Sequence, residues 1–499
     1  MKNISPAFLR FVEFGSKLAM GLFVLALPFT SLPLLSKVLG GTEVAPASVI
    51  FILLLALFWI PAYLLRGGTL PAEMKPFLLF IIAALVSSAA AFFLPLPPYK
   101  GYSILNAELK ALITLVIGCA TYVVVTIWHR DLPRLTTTLK LINLSGFFIL
   151  VWSFIELVVI LFRGGQYPSL MVNLQTLVST RPLNDLAFRT RVGGFTYEPS
   201  WLAHQLNMVY LPYWLAATVT GYSATRKVLR VSIENMLLAG GVVILYFTIS
   251  RIGLVAFLLM VAFVFLRVNA WLVRWLRDRL HGRLLVQRWR LDRLLSLLLG
   301  LAVFIVYVGG VVGLLVLWAH FDPRTAQLLS LQELPSSLFD FAFKVDFAER
   351  VVYWSIGWSV FGRYPLLGVG LGNTGFFFMQ YLPNLSYRLP EIVNLAFLSN
   401  TLPNIKSFWV RLLAETGLVG FSLFAAWQVV LWKAGAFLRS HRSVLLRTLG
   451  WMGGFAILAF LAEGFSIDSF ALPYLWFAMG LLTAASAFAR QEIDHLLEN

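Results

Sequence analysis

Residues 241–283 read GVVILYFTISRIGLVAFLLMVAFVFLRVNAWLVRWLRDRLHGR. Two apolar runs, 232–249 and 252–268, are separated only by Ser250 and Arg251, and the second continues into a strongly basic tail. About 20 apolar residues suffice to cross a bilayer as a helix, which satisfies its own backbone hydrogen bonds there. The stretch therefore predicts a helical hairpin through a membrane, with almost no loop on one side and a cationic anchor on the other. The composition of the whole chain agrees. Of 499 residues, 59% are hydrophobic and only 12% charged, and mean hydropathy is +0.82. Soluble domains carry about 25% charged residues, so several water-facing domains are excluded. Disorder is excluded as well, because it needs a chain poor in apolar residues.

Working outward, twelve apolar runs of spanning length appear, near 15–37, 47–65, 76–96, 104–127, 139–163, 201–220, 232–249, 252–268, 294–318, 411–432, 448–465 and 470–488. The fold class expected is all-α: a polytopic membrane protein with about twelve transmembrane helices. The first run has no cleavage pattern and reads as a start-transfer helix that is retained. Three regions follow: 1–318 with nine spans and an outer loop at about 164–200, a large loop at 319–410, and 411–499 with three spans and a short tail. No internal repeat or low-complexity segment is visible.

Net charge is +16, from 39 Lys and Arg against 23 Asp and Glu. With the N-terminus in the cytoplasm, the inner loops hold Arg66 and Lys75; Arg130, Arg134 and Lys140; Arg226, Lys227 and Arg230; eight arginines from Arg267 to Arg293; and Lys433, Arg439, Arg442 and Arg447. The outer loops are nearly balanced. Most of the charge thus reports topology by the positive-inside rule, which argues against nucleic acid as a partner. Cys119 is the sole cysteine, so neither an intrachain disulfide nor a cysteine-based zinc cluster is possible.

Both long loops, and with them any chemistry, fall on the outer side. The first ends in RTRVGGFTYEPSWLAHQ, residues 189–205. Arg189 and Arg191 stand where arginine is not favoured for topology, and planar guanidinium groups suit phosphate and pyrophosphate. Glu198 precedes Pro199 at a helix start, where a carboxylate complements the helix dipole; it is equally a candidate general base. Arg251 sits in the very short outer turn TISRIGL, either snorkelling to headgroups or acting on a ligand. In the large loop, Ala348 to Val360 reads as an amphipathic helix along the membrane surface. GVGLGN, residues 368–373, lacks the strand–turn–helix context of a nucleotide loop and reads as a turn allowing close backbone approach. Arg363, Tyr387, Arg388, Lys406 and Arg411 are further outer cations or ring donors for substrate binding. Glu415, about one turn into a span, needs a partner, and Arg411 at i−4 is suitably spaced. Glu156 and Glu463 are the other charges expected to be buried. Tyr197, Tyr353, Trp354 and Tyr387 could stack on sugars or form an interfacial aromatic belt. His204 and His320 are left without a role. No D-x-D or paired acidic motif occurs in an outer loop, so no metal and no cofactor are expected.

Four pieces, RVGGFTYEPSWLA, the S-R-x-G of SRIGL, the W…PLLGVGLGN segment and KSFWVRLLAETGLVG, resemble in order and topology the O-antigen ligase and polymerase family of bacterial surface-polysaccharide enzymes. The resemblance covers about 185–425. It implies a metal-independent, inverting transferase of GT-C-like architecture in the inner membrane, with both termini cytoplasmic and the active site facing outward. The donor implied is a glycan on undecaprenyl pyrophosphate; membrane lipids, a chain-length regulator and a flippase are the accompanying partners. Arg191 and Arg251, with Arg363 or Lys406, would hold the pyrophosphate, and Glu198 would be the base. Ligases of the family carry a His-Asn pair about nine residues before the glutamate of the E-x-G-x-x-G element. Here those positions are Lys406 and Ser407, which favours a polymerase over a ligase. A lipid-linked oligosaccharide transporter is the alternative of another class. Such proteins usually show repeats and midplane charges, neither of which is evident here.

Overall fold

The computed structural model describes residues 6–38, 41–65, 67–225, 231–281, 289–320, 326, 338–344 and 347–498. Arg66, Arg226, Lys227, Arg230, Arg283 and Arg288 of the inner loops, and much of 321–337, lie outside these residues. The described chain is helical without a β-strand: α1 (Pro6–Leu25), α2 (Pro33–Val38), α3 (Ser48–Leu65), α4 (Lys75–Ala91), α5 (Ile104–Trp128), α6 (Leu132–Arg163), α7 (Ser169–Val178), α8 (Pro199–Gln205), α9 (Leu211–Thr220), α10 (Ile233–Phe247), α11 (Arg251–His281), α12 (Trp289–Ala319), α13 (Leu338–Lys344), α14 (Ala348–Arg363), α15 (Pro390–Val393), α16 (Phe408–Arg439), α17 (Val444–Glu463) and α18 (Tyr474–Glu498). Among the described residues, eight helices are long and apolar enough to cross a membrane. The chain is an all-α, multi-pass membrane protein.

The run 232–249 gives only a 15-residue helix, α10, and two further runs are interrupted, each for a backbone reason. The run 15–37 stops at Leu25 and resumes as α2, because Pro28 and Pro33 lack the N–H that a continuous helix needs. The broken segment turns back and pairs with the chain ahead: Leu32 N–H donates to the Ala45 carbonyl at 2.9 Å and Ala45 N–H to the Thr30 carbonyl at 3.0 Å. The run 201–220 is helical from Pro199 to Thr220 but widens to a π-turn at Leu206–Tyr210, just before Pro212. Proline cannot donate to the preceding turn, and one extra residue per turn accommodates it.

Side-chain caps set several helix starts. Ser103, Asp131, Ser232 and Ser407 each accept a backbone N–H from three residues on, at α5, α6, α10 and α16. The core of the bundle is a single apolar cluster spanning α1, α4 to α6, α9 and α16 to α18. α16 packs on α17 and α4, α18 on α5, and α17 on α9 and α11. α11 and α12 form a peripheral hairpin, and none of the apolar window Leu297–Leu317 is buried within the protein. The segment 338–407 has its own small core, with Val352, Tyr353, Ile356, Phe378, Leu389 and Ile405, closed against Val410 at the start of α16. The buried face of α14 is pressed onto α16, where Gly357 leaves room for Val410 and Ile405. The amphipathic pattern of this helix therefore serves a protein contact as well as any membrane surface.

Candidate functional site at the outer end of the bundle

The end carrying 164–198 and 347–407 is the outer one in the orientation that the basic loops predict. Arg191 and Arg251 meet there at one turn. Arg191 Nε donates to the Thr248 carbonyl at 2.9 Å, and the adjacent Val192 N–H donates to the Phe247 carbonyl at 2.9 Å. Arg251 begins α11 three residues after Thr248. Between them Ile249 takes a left-handed φ of 49°. A β-branched residue there is strained by about 1–3 kcal/mol, which the surrounding bonds must hold. Both arginines are partly exposed.

The loop that presents Arg191 is held from below by a glutamate of α6. Glu156 is fully buried, and its Oε2 accepts the Gly193 and Gly194 N–H groups, each at 2.9 Å. Gln175 of α7 donates to the Gly194 carbonyl at 3.1 Å. Gly194 has φ 61° and sits against Leu202 and Ser153, so the Gly-Gly pair lets the backbone reach this carboxylate. Glu198 stands at the start of α8, yet its side chain caps no backbone N–H. It accepts instead from the Ser200 hydroxyl and lies 3.9 Å from Arg181 Nη1. Arg181 also pairs with Asp185 at 2.9 Å and lies over the Tyr197 ring. The hydrogen bond from Arg181, with one from the Ala187 N–H, holds the Asp185 carboxyl below its ordinary value. Sequence reading missed Arg181, although it is an outer-loop arginine of the same kind as Arg189. Arg189 itself is exposed.

A second knot lies on the other side of α17. The polypeptide 365–373 straps the break in α16 at Gly417, which has φ 61° and ψ −167°. Leu418 N–H donates to the Pro365 carbonyl at 2.8 Å, and Gly370 N–H to the Glu415 carbonyl at 3.0 Å. A Cβ at Gly417 would collide with the Leu366 carbonyl, and one at Gly368 with the Glu415 backbone. The close-approach reading of GVGLGN therefore holds. Glu415 is buried and paired with Arg411 at 3.0 Å, as the i−4 spacing suggested. Arg411 is mostly covered, so its guanidinium faces Glu415 and the Asp468 carbonyl rather than solvent.

Lys406 sits at φ 49° and donates to Glu391, which also accepts from the Tyr353 hydroxyl at 2.9 Å. Arg350 donates to the Lys406 carbonyl at 2.8 Å. Burial would raise the Glu391 carboxyl, but the Lys406 charge and hydrogen bond, with that of Tyr353, bring it below its ordinary value. Tyr353 has no exposed surface, which corrects its place among the sugar-stacking rings: its face is packed in the outer core. Trp354 is likewise held between Phe347 and Phe465. Tyr387 is 54% exposed beside Phe397, and Arg363 and Arg388 are exposed at the rim.

The outer end of α17 joins the two knots. Buried Glu463 accepts from Asn207 at 2.8 Å and lies 3.4 Å from His204 Nδ1; Asn207 also donates to the Gly253 carbonyl, two residues beyond Arg251. On the far side, the Phe408 N–H donates to the Gly464 carbonyl at 2.7 Å, and Arg350 reaches the Ser466 carbonyl at 3.3 Å. The arrangement is a rim of cations over a network of buried carboxylates, a donor set suited to a multiply charged anion.

Residues 236–425 match the family model described as O-antigen ligase, a likeness consistent with the O-antigen ligase and polymerase family. The match spans SRIGL, PLLGVGLGN and KSFWVRLLAETGLVG, whereas RVGGFTYEPSWLA lies ahead of it. It supports an enzyme of the glycosyltransferase kind in surface-polysaccharide biosynthesis, acting on lipid-linked oligosaccharide. No curated protein matches the chain.

Proposed function

We propose that this chain is a surface-polysaccharide polymerase: a metal-independent, inverting, GT-C-like transferase that moves a growing glycan from undecaprenyl pyrophosphate to the non-reducing end of a lipid-linked repeat unit. It works on the outer face of the bacterial inner membrane, with both termini in the cytoplasm. The observation that carries the reading is the convergence of Arg191 and Arg251 on the 248–251 turn. The acceptor hydroxyl oxygen attacks the anomeric carbon from the face opposite the lipid carrier. The bond from that carbon to the pyrophosphate oxygen breaks, and the acceptor's proton passes to a base, for which Glu198 at the start of α8 is the candidate. Charge grows on the departing pyrophosphate, and the guanidinium groups of Arg191 and Arg251 lower its energy where a metal would otherwise be needed. Exposed Arg189, Arg363, Tyr387 and Arg388, together with Lys406, bind the glycan or its carrier.

A ligase moving the glycan to lipid A core or another acceptor uses the same donor chemistry, and the description of the matched family favours it. Lys406 and Ser407, in place of the ligase His-Asn pair, favour the polymerase. The experiment is transfer by Arg191→Ala and Arg251→Ala in purified, lipid-reconstituted protein. Each loses at least about 100-fold in rate, the scale of one lost oxyanion donor, and lysine rescues poorly because it lacks the bidentate fork. Wild-type polymer from either alanine variant would overturn the pyrophosphate role.

A further inference from the structure

The opposite end of the bundle, cytoplasmic in the proposed orientation, holds a cavity of about 550 Å³ that glycosyl transfer does not use. Its walls include Glu13 of α1, Trp59 and Tyr63 of α3, Arg130 and Asp131 between α5 and α6, and Arg134 of α6. A second cavity of about 280 Å³ adjoins it and shares Tyr63 and Arg130. The Arg130 guanidinium lies 3.7 Å from the Tyr63 ring centroid, with its Nε donating to the Ile127 carbonyl at 2.8 Å. Arg134 is largely covered. It donates to the Trp128 carbonyl at 2.8 Å, pairs with Asp131 at 3.2 Å and lies 3.8 Å from Glu13. Asp131 also caps α6, and Glu13 pairs with Lys17 at 3.0 Å, yet both carboxylates remain about half exposed, at 45% and 51%.

Three features specify the ligand. Among the described residues the lining carries two guanidinium groups and two carboxylates, with Lys17 paired to Glu13 beside it, so a purely anionic ligand meets repulsion from Glu13 and Asp131, and a purely cationic one from the arginines. A group with both a phosphate and an ammonium meets complementary charge throughout. Trp59 and Tyr63 mark the interfacial depth at which headgroups lie. Toward the bilayer centre from them α3 exposes Leu57 and Phe58, each about two-thirds uncovered, which gives acyl chains an apolar track. Basic pockets between spans on the cytoplasmic side are known lipid headgroup sites; this one differs in having two carboxylates among its described lining residues.

We propose that this cavity binds a zwitterionic phospholipid of the cytoplasmic leaflet, with the phosphodiester at Arg130, the primary ammonium against the exposed edges of Glu13 and Asp131, whose inner edges Arg134 holds, and the acyl chains along α3. The test is native mass spectrometry of the delipidated full chain with phosphatidylethanolamine, phosphatidylglycerol, diacylglycerol or inorganic phosphate. The wild type is expected to retain phosphatidylethanolamine about fivefold better than phosphatidylglycerol, the scale of one partly exposed charge contact. Diacylglycerol is not retained, and millimolar inorganic phosphate does not displace the lipid. Glu13→Gln erases the preference between the two phospholipids, and Arg130→Gln weakens both. Equal or better binding of phosphatidylglycerol by the wild type, retention of diacylglycerol, or displacement by inorganic phosphate overturns the proposal. Because the wild-type comparison needs no variant, a misfolded substitution cannot shield it.

Discussion

Replacing Glu156 by leucine leaves the Gly193 and Gly194 N–H groups buried without an acceptor. Each such group costs about 1–3 kcal/mol, so the loop carrying Arg191 is expected to loosen or the protein to lose several degrees in melting temperature. Gln at 156 retains a carbonyl oxygen to accept both bonds and should keep most activity. Transfer rates and melting curves of Glu156→Leu and Glu156→Gln check this; equal activity of the two would separate the carboxylate from the arginine. At this scale the sequence was legible where chemistry is unusual for its position. Arg191 and Arg251 stand out because arginine at an outer interface has no topological reason. The partners were not legible. Glu156 and Gly193 are 37 residues apart, and Glu463 and Asn207 are 256 apart, so no local spacing announces them. Glu415 and Arg411 are one helical turn apart, and that pair could be read directly.

Among the elements, the broken helix α16 and its strap depend on Gly417. Alanine there would need φ 61° and would meet the Leu366 carbonyl. Left-handed strain costs about 1–3 kcal/mol before the collision is counted, so Gly417→Ala is expected to lower folded yield sharply, measured by monodisperse recovery in detergent. Gly309→Ala, with nothing within 4 Å of the added Cβ, is the control and should be tolerated. The clasp between Lys406 and Glu391 has a pH signature. The Glu391 carboxyl is held below its ordinary value, so its contribution is complete above the ordinary glutamate range, near about pH 4.3, and is lost as pH falls through the lower folded value. The melting-temperature gap between wild type and Glu391→Gln should be constant near neutrality and shrink in acid; a gap that widens in acid would contradict the clasp. Helices were legible from run length, and the glycine strap from its composition. The break after Leu25 and the π-turn before Pro212 were less so, because a hydropathy count does not register missing backbone donors.

For the molecule as a whole, the basic loops favour the proposed orientation, and the segment 338–407 closes on the bundle at Val410 through its own core. The periodicity of the spans cannot give their packing, since lipid-facing and protein-facing sides are both apolar. The α11–α12 hairpin illustrates this: its sequence is at least as hydrophobic as α17, yet it is peripheral and α17 is central. The central claim is that the lipid-linked repeat unit serves as both donor and acceptor. The most direct measurement supplies purified, lipid-reconstituted protein with that unit alone and separates the products on a gel. The polymerase account predicts a ladder of regularly spaced products that Arg191→Ala and Arg251→Ala do not make. Transfer that appears only after lipid A core or another acceptor is added would contradict it and identify a ligase.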